Sequence, residues 1–241
     1  MNIGLESKTD IWCGFRRQIF DFEGHTAWLV EPYHAAEGNP WTWTIEWPTA
    51  FVRRTGVPDM LARGWHHAFI QADGHGYDKD QELFGRFHDF LVSLGLAQKT
   101  ELIGMSFGGL YSVRYAAMHP GRVACMYLDA PYCNFEGCKH LEEVEKPYGL
   151  TPWLDKLGEY PGSPVNLTDK VADIPTLLIY GTTDQSLDPA LNAELFLARM
   201  QEKGADIQVI KRNYWGHHPH GLDEPEPIVQ FFVKNNPAKL G

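Results

Sequence analysis

Apolar and polar residues follow two periods along this chain. Short apolar or alternating runs at Cys13–Phe22, Thr26–Val30, His67–Gln71, Lys99–Ile103, Val123–Leu128, Ile174–Tyr180 and Asp206–Ile210 predict strands. Glu23-Gly24-His25 joins the first two as a hairpin. Between the later runs, Gln81–Leu94, Leu110–His119 and Pro189–Met200 place apolar residues at helical spacing. Gly95 closes the first of these helices and Pro120-Gly121 the second. Ala50–Arg63 has the same spacing, interrupted at Gly56-Val57-Pro58. The run from Ile174 is apolar and partly branched, as in a parallel strand covered on both faces.

One junction between a strand and a helix is unusual. Between Lys99–Ile103 and Leu110–His119 lies Gly104-Met105-Ser106-Phe107-Gly108-Gly109, a Gly-x-Ser-x-Gly turn in the strand–turn–helix setting of a nucleophile elbow. Small residues are expected around the serine because bulky ones would clash with the adjoining strand and helix. Two later segments supply its chemical partners. The strand from Ile174 ends in Gly181-Thr182-Thr183-Asp184, and Asp206–Ile210 leads into Trp215-Gly216-His217-His218-Pro219-His220.

These segments, in the order Ser106, Asp184, His217, resemble the α/β-hydrolase superfamily over nearly the whole chain. Asp73-Gly74-His75-Gly76-Tyr77 resembles a shortened form of that family's glycine turn after an earlier strand. The resemblance implies one domain over residues 1–241, with a mostly parallel central sheet, helices on both faces and a short lid. The lid falls on residues 131–173, where five prolines and two cysteines break the periodic pattern over a stretch longer than an ordinary loop.

The resemblance gives Ser106 the role of nucleophile, His217 that of base and Asp184 that of the acid orienting it. His218 and His220 are alternatives for the base. Asp188 and Asp129 are alternatives for the acid, although Asp188-Pro189 reads as a helix cap. Phe107 N–H is the expected first oxyanion donor, and Trp41 or Tyr33 the second, since Pro32 has no N–H. Trp43, Trp215 and His218 are expected to touch substrate. Trp41, Trp43 and Trp47 crowd one segment, read as a loop, and Trp215 lies two residues before His217, and flat rings of this kind suit sugar faces. The Pro-Trp-x-Trp segment and the Gly-His-His-Pro-His ending are similar to bacterial hydrolases grouped with carbohydrate esterases.

The implied reaction is cleavage of a carboxylic ester through an acyl-enzyme, with a small acyl group such as acetyl on a carbohydrate or related alcohol. A pectin-type methylesterase, a small-molecule lactonase or a thioesterase would use the same residues. A non-catalytic receptor on the hydrolase scaffold is the reading from another class. A haloalkane dehalogenase is disfavoured, because that chemistry needs a carboxylate nucleophile where this chain has Ser106.

Charge and composition narrow the partners. With 31 acidic against 21 basic residues the formal net charge is −10, which disfavours nucleic acid and anionic membrane surfaces. Composition is that of an ordinary globular protein, 44% hydrophobic and 22% charged. The remaining histidines show no metal-ligand spacing, and neither metal nor cofactor is expected. Cys13, Cys125, Cys133 and Cys138 read as free thiols, with Cys133–Cys138 the conceivable disulfide in a secreted protein. Met1–Lys8 has neither the basic head nor the apolar core of a secretory leader, so a cytoplasmic location is expected, or a secreted one if a leader has been removed.

Overall fold

The computed structural model describes residues 1–236. Its sheet has nine strands: β1 Ser7–Trp12, β2 Phe15–Phe22, β3 His25–Glu31, β4 Trp41–Thr44, β5 His66–Ile70, β6 Thr100–Met105, β7 Val123–Asp129, β8 Thr176–Gly181 and β9 Ile207–Arg212. They lie in the order β1-β2-β3-β5-β4-β6-β7-β8-β9. The first three strands and the β3–β5 pair are antiparallel, and every pair from β5 to β9 is parallel. The helices are α1 Val57–Ala62, α2 Asp78–Ser93, α3 Phe107–Met118, α4 Leu141–Tyr148, α5 Thr168–Val171, α6 Ala193–Glu202 and α7 Glu226–Lys234. Both faces of the sheet are covered. Phe84, Phe87 and Leu91 of α2, Leu110 and Tyr115 of α3 and Phe196 of α6 fill one layer. Met60 and Leu61 of α1 with Ile228, Val229 and Phe232 of α7 fill the other. No helix among the described residues is long and apolar enough to cross a membrane.

Three predicted elements differ. The run Cys13–Phe22 is a strand only from Phe15, because Cys13 (φ 53°) and Gly14 (φ 88°) make a tight turn back to β1, a strand the pattern did not predict. Ala50–Arg63 is helical only from Val57, since Gly56 has a left-handed φ of 76° and Pro58 suits a first turn. The Trp41–Thr44 segment, read as a loop, is strand β4 inserted between β5 and β6. All four of its residues are buried, and β-branched and aromatic residues suit a pleated strand.

Residues 131–173 carry α4, short 3-10 turns at Thr151–Glu159 and Pro164–Asn166, and α5. The segment is fastened to α3. Arg114 donates to Gly162 O at 2.9 Å and lies over the Tyr148 ring at 4.9 Å. Tyr148 OH in turn donates to His75 O. All four cysteines are free.

Candidate active site

The C-terminal ends of the parallel strands converge on Ser106. The serine sits between β6 and α3 with φ 51° and ψ −120°, a conformation costly to a residue with a side chain. Flanking bonds hold it there: Ser106 N–H donates to Asp129 O at 3.0 Å, and Ser106 O accepts from Gly109 N at 2.9 Å and Tyr132 N at 2.9 Å. The glycines around it are not equivalent. A Cβ on Gly104 would lie 2.6 Å from Ser112 Oγ and 2.7 Å from Gly108 O, and one on Gly109 would lie 2.3 Å from Pro131 Cβ. A Cβ on Gly108 would meet nothing closer than 3.4 Å, so the steric demand falls on Gly104 and Gly109.

The acid and the histidine come from the next strands. His217 Nε2 lies 3.0 Å from Ser106 Oγ, and His217 Nδ1 lies 2.6 Å from Asp184 Oδ2. The other oxygen of Asp184 accepts from Ser186 N at 2.8 Å and Leu187 N at 3.0 Å. Burial works against the charge on Asp184, but the bonds from His217, Leu187 and Ser186 outweigh it and hold the carboxyl below its usual range. The two loops interlock. Thr183 donates to Trp215 O through both its amide (3.0 Å) and its hydroxyl (2.9 Å), and Tyr214 N donates to Thr182 Oγ1 at 2.9 Å. Gly181 leaves room for this contact, because a Cβ there would stand 2.2 Å from Trp215 O.

No model of a protein family matches the sequence, and no curated protein sequence matches it. Solved structures do match. S-formylglutathione hydrolase from Agrobacterium tumefaciens superposes with a TM-score of 0.65 at 15% identity, over 94% of this chain and 95% of that one. An alpha/beta hydrolase enzyme from the metagenome of lagoon sediments at Mar Chica, Morocco, gives 0.55 at 17%, over 90% and 96%. This chain has the α/β-hydrolase fold. Pyrococcus horikoshii acylaminoacyl peptidase gives 0.70 at 14% identity, and 96% of this chain spans only 42% of that longer one.

Within this α/β-hydrolase fold the alternative acid and base find other partners. Asp129 is fully buried at the end of β7, and its carboxylate accepts from His220 Nδ1 (2.9 Å), Gly221 N (2.8 Å) and Tyr127 OH (2.7 Å). Asp188 accepts from Ala190 N at 2.9 Å in the turn before α6. His218 is exposed and stacks on Phe51 at 5.7 Å. Burial, His220 and His217 hold its pKa below the ordinary value.

The tryptophan assignments need correction. Trp41 cannot be the second oxyanion donor. Its carbonyl accepts from Thr100 Oγ1 at the start of β6, and six residues of strand separate Thr100 from Ser106, roughly 20 Å. Trp43 pairs with Leu102, and its ring is wholly buried among Trp41, Phe84, Phe87 and Tyr115, so it cannot touch substrate. Both misplacements follow from reading β4 as a loop. Tyr33, just after β3, is exposed, and its hydroxyl donates to Gly14 O in the turn between β1 and β2. Trp215 is half-buried and braced, its N–H donating to Pro219 O at 3.2 Å and Arg212 lying 4.9 Å above its ring.

The segment that does adjoin the elbow is Glu46-Trp47, directly after β4. Glu46 N and Cβ lie 3.7 and 3.4 Å from where a Gly108 Cβ would stand. Phe107, the first residue of α3, has an amide with no acceptor inside its helix, and Glu46-Trp47 passes beside that helix turn. Burial lifts the Glu46 carboxyl to about 7 despite a bond from the Trp47 amide, with Asp80 adding to the rise. Sequence reading missed Glu46. Its one signal was an acid in Ile45-Glu46-Trp47-Pro48, visible only once β4 is recognised as a strand. Phe107 itself stacks on Tyr132 at 4.9 Å and borders His75 at 5.5 Å.

Proposed function

We propose that this chain is a serine hydrolase that cleaves carboxylic esters through an acyl-enzyme. The observation that carries the reading is the unbroken hydrogen-bonded path from Ser106 Oγ through His217 to Asp184. In this reading Ser106 Oγ attacks the ester carbonyl as its proton passes to His217 Nε2. Asp184 fixes the imidazole tautomer and stabilises the imidazolium. The Phe107 amide and an amide of Glu46-Trp47 take the oxyanion. His217 then protonates the leaving alcohol, and the acyl-enzyme is released by water that His217 deprotonates. Phe51 borders the histidine loop at His218, and residues 131–173 act as the cover.

For substrate we propose a short acyl ester, such as acetyl, on a carbohydrate or related alcohol. Two features support it. The ring of Phe107, next to Ser106, stacks on Tyr132 at 4.9 Å, and in this reading the pair limits the acyl group to a short one. Trp47, 48% exposed where β4 ends, offers a ring to a sugar face.

The test pairs fluorophosphonate labelling with product release. Labelling confined to Ser106, together with acetate release from acetylated polysaccharide, supports the full reading. Methanol release from methyl-esterified polysaccharide moves the substrate to a uronic ester. Amine release from acylated peptides makes the chain a peptidase. No labelling of Ser106 removes the catalytic reading and leaves a ligand receptor.

A further inference from the structure

The loop bearing His217 holds two further imidazoles that the triad does not use. The rings of His217, His218 and His220 stand 4.7, 5.0 and 4.9 Å apart, centroid to centroid, each nearly perpendicular to the others. One nitrogen from each lies within 4.8 Å of the other two. We propose that these three histidines form an inhibitory site for a divalent cation of the zinc class.

Two of the rings are already arranged as metal-binding imidazoles are. His217 Nδ1 is bonded to Asp184, and His220 Nδ1 to Asp129. A carboxylate on one ring nitrogen fixes the tautomer and makes the other nitrogen a better ligand. The two carboxylates also place negative charge behind the site, partly offset by Arg212, 3.5 Å from Asp129. His218 is exposed, with its ring stacked on Phe51. Zinc holds imidazole nitrogens at about 2.0–2.1 Å, which sets them roughly 3.3 Å apart in a tetrahedral site. The three ligands therefore close by an ångström or so on binding. An all-imidazole set selects zinc, copper or nickel over magnesium and calcium, which take oxygen ligands.

Both nitrogens of His217 are in use, one on Ser106 and one on Asp184. Coordination through either would take the base out of the triad. Cation binding is independent of the proposed activity, whereas inhibition rests on that reading.

The experiment is calorimetric titration of the tag-free chain with zinc chloride, beside fluorophosphonate labelling of Ser106. The wild type is expected to take one zinc per chain, and His218→Ala to bind it about ten-fold more weakly or worse. His140→Ala, in the exposed His140–Glu142–Glu143 cluster, is expected to bind like wild type. Equal binding by His218→Ala, or no saturable binding by the wild type, overturns the site. Zinc is expected to slow labelling about ten-fold at saturation, with a chelator restoring it and magnesium having no effect. Labelling unchanged at saturating zinc overturns the inhibitory role. Absence of labelling without any zinc defeats the hydrolase reading instead, while the calorimetry still decides the cation site.

Discussion

Asp129 holds Ser106 by its backbone: the serine amide donates to the Asp129 carbonyl at 3.0 Å. The side chain of the same residue holds the histidine loop through His220 and Gly221. One buried residue thus supports both ends of the Ser106–His217 contact. Asp129→Ala would strand His220, Arg212 and the Gly221 amide, and removing one partner from a buried charged network costs about 3–5 kcal/mol. Urea denaturation should show that loss. A variant as stable as wild type would mean that Asp129 is peripheral to the fold.

Ser106→Ala and His217→Ala are expected to lower kcat by about 10⁴-fold or more, with thermal stability nearly unchanged. His218→Ala is expected to keep most of its kcat, because its ring faces Phe51. Comparable losses in His217→Ala and His218→Ala would reverse the assignment of the base.

The tryptophans separate core from site. Trp43→Ala is expected to cost about 3–5 kcal/mol, as for other large buried aromatics. Trp47→Ala is expected to leave stability within about 0.5 kcal/mol, as for exposed positions generally, while raising KM for the carbohydrate ester. Unchanged KM across a series of acylated sugars would remove Trp47 from the substrate surface.

Glu101 gives the fold a pH dependence. It is wholly buried in β6, with a single bond from Trp65 Nε1 at 2.9 Å, and burial, opposed by that bond, raises its pKa well above the ordinary value. A carboxyl whose folded pKa is raised stabilises fully below its unfolded pKa, near 4.3, and that contribution falls as pH rises toward the folded pKa. Glu101→Gln removes the effect. Its stability relative to wild type should therefore improve between pH 5 and pH 8 in denaturant titrations; a constant difference would show that Glu101 is not protonated in the fold.

Glu46 gives the proposed activity a second pH dependence. With its pKa lifted to about 7 by burial, Glu46 becomes a carboxylate above that pH. It then competes for the Trp47 amide and repels an oxyanion forming at Phe107. The profile of kcat/KM is expected to carry a falling limb near pH 7 that Glu46→Gln abolishes. The same limb in wild type and variant would free Glu46 of this role.

Residues with strong local signals were legible in the sequence. Ser106 announced itself by a strand, a glycine turn and a helix in immediate succession. Asp184 and His217 each follow an apolar strand, and their order along the chain completed the pattern. β4 escaped because it has four residues and is buried on both faces; its tryptophans look like a surface cluster when only one strand is in view. Losing β4 also lost Glu46 and displaced the second oxyanion donor. Helix α7 went unread although its Ile228, Val229, Phe231 and Phe232 are buried, since a short amphipathic run between Pro225 and Asn235 resembles a loop. Asp129 and His220 were both weighed as triad members, yet only three-dimensional pairing reveals that they satisfy each other.

The hydrogen bond between Ser106 and His217 joins residues 111 positions apart. During synthesis the elbow can form long before β9 and the loop behind it have left the ribosome. A nascent or truncated chain ending before that strand therefore carries the serine without the imidazole that the proposed reaction requires, so the proposed activity would arise only once the last strand of the sheet is in place.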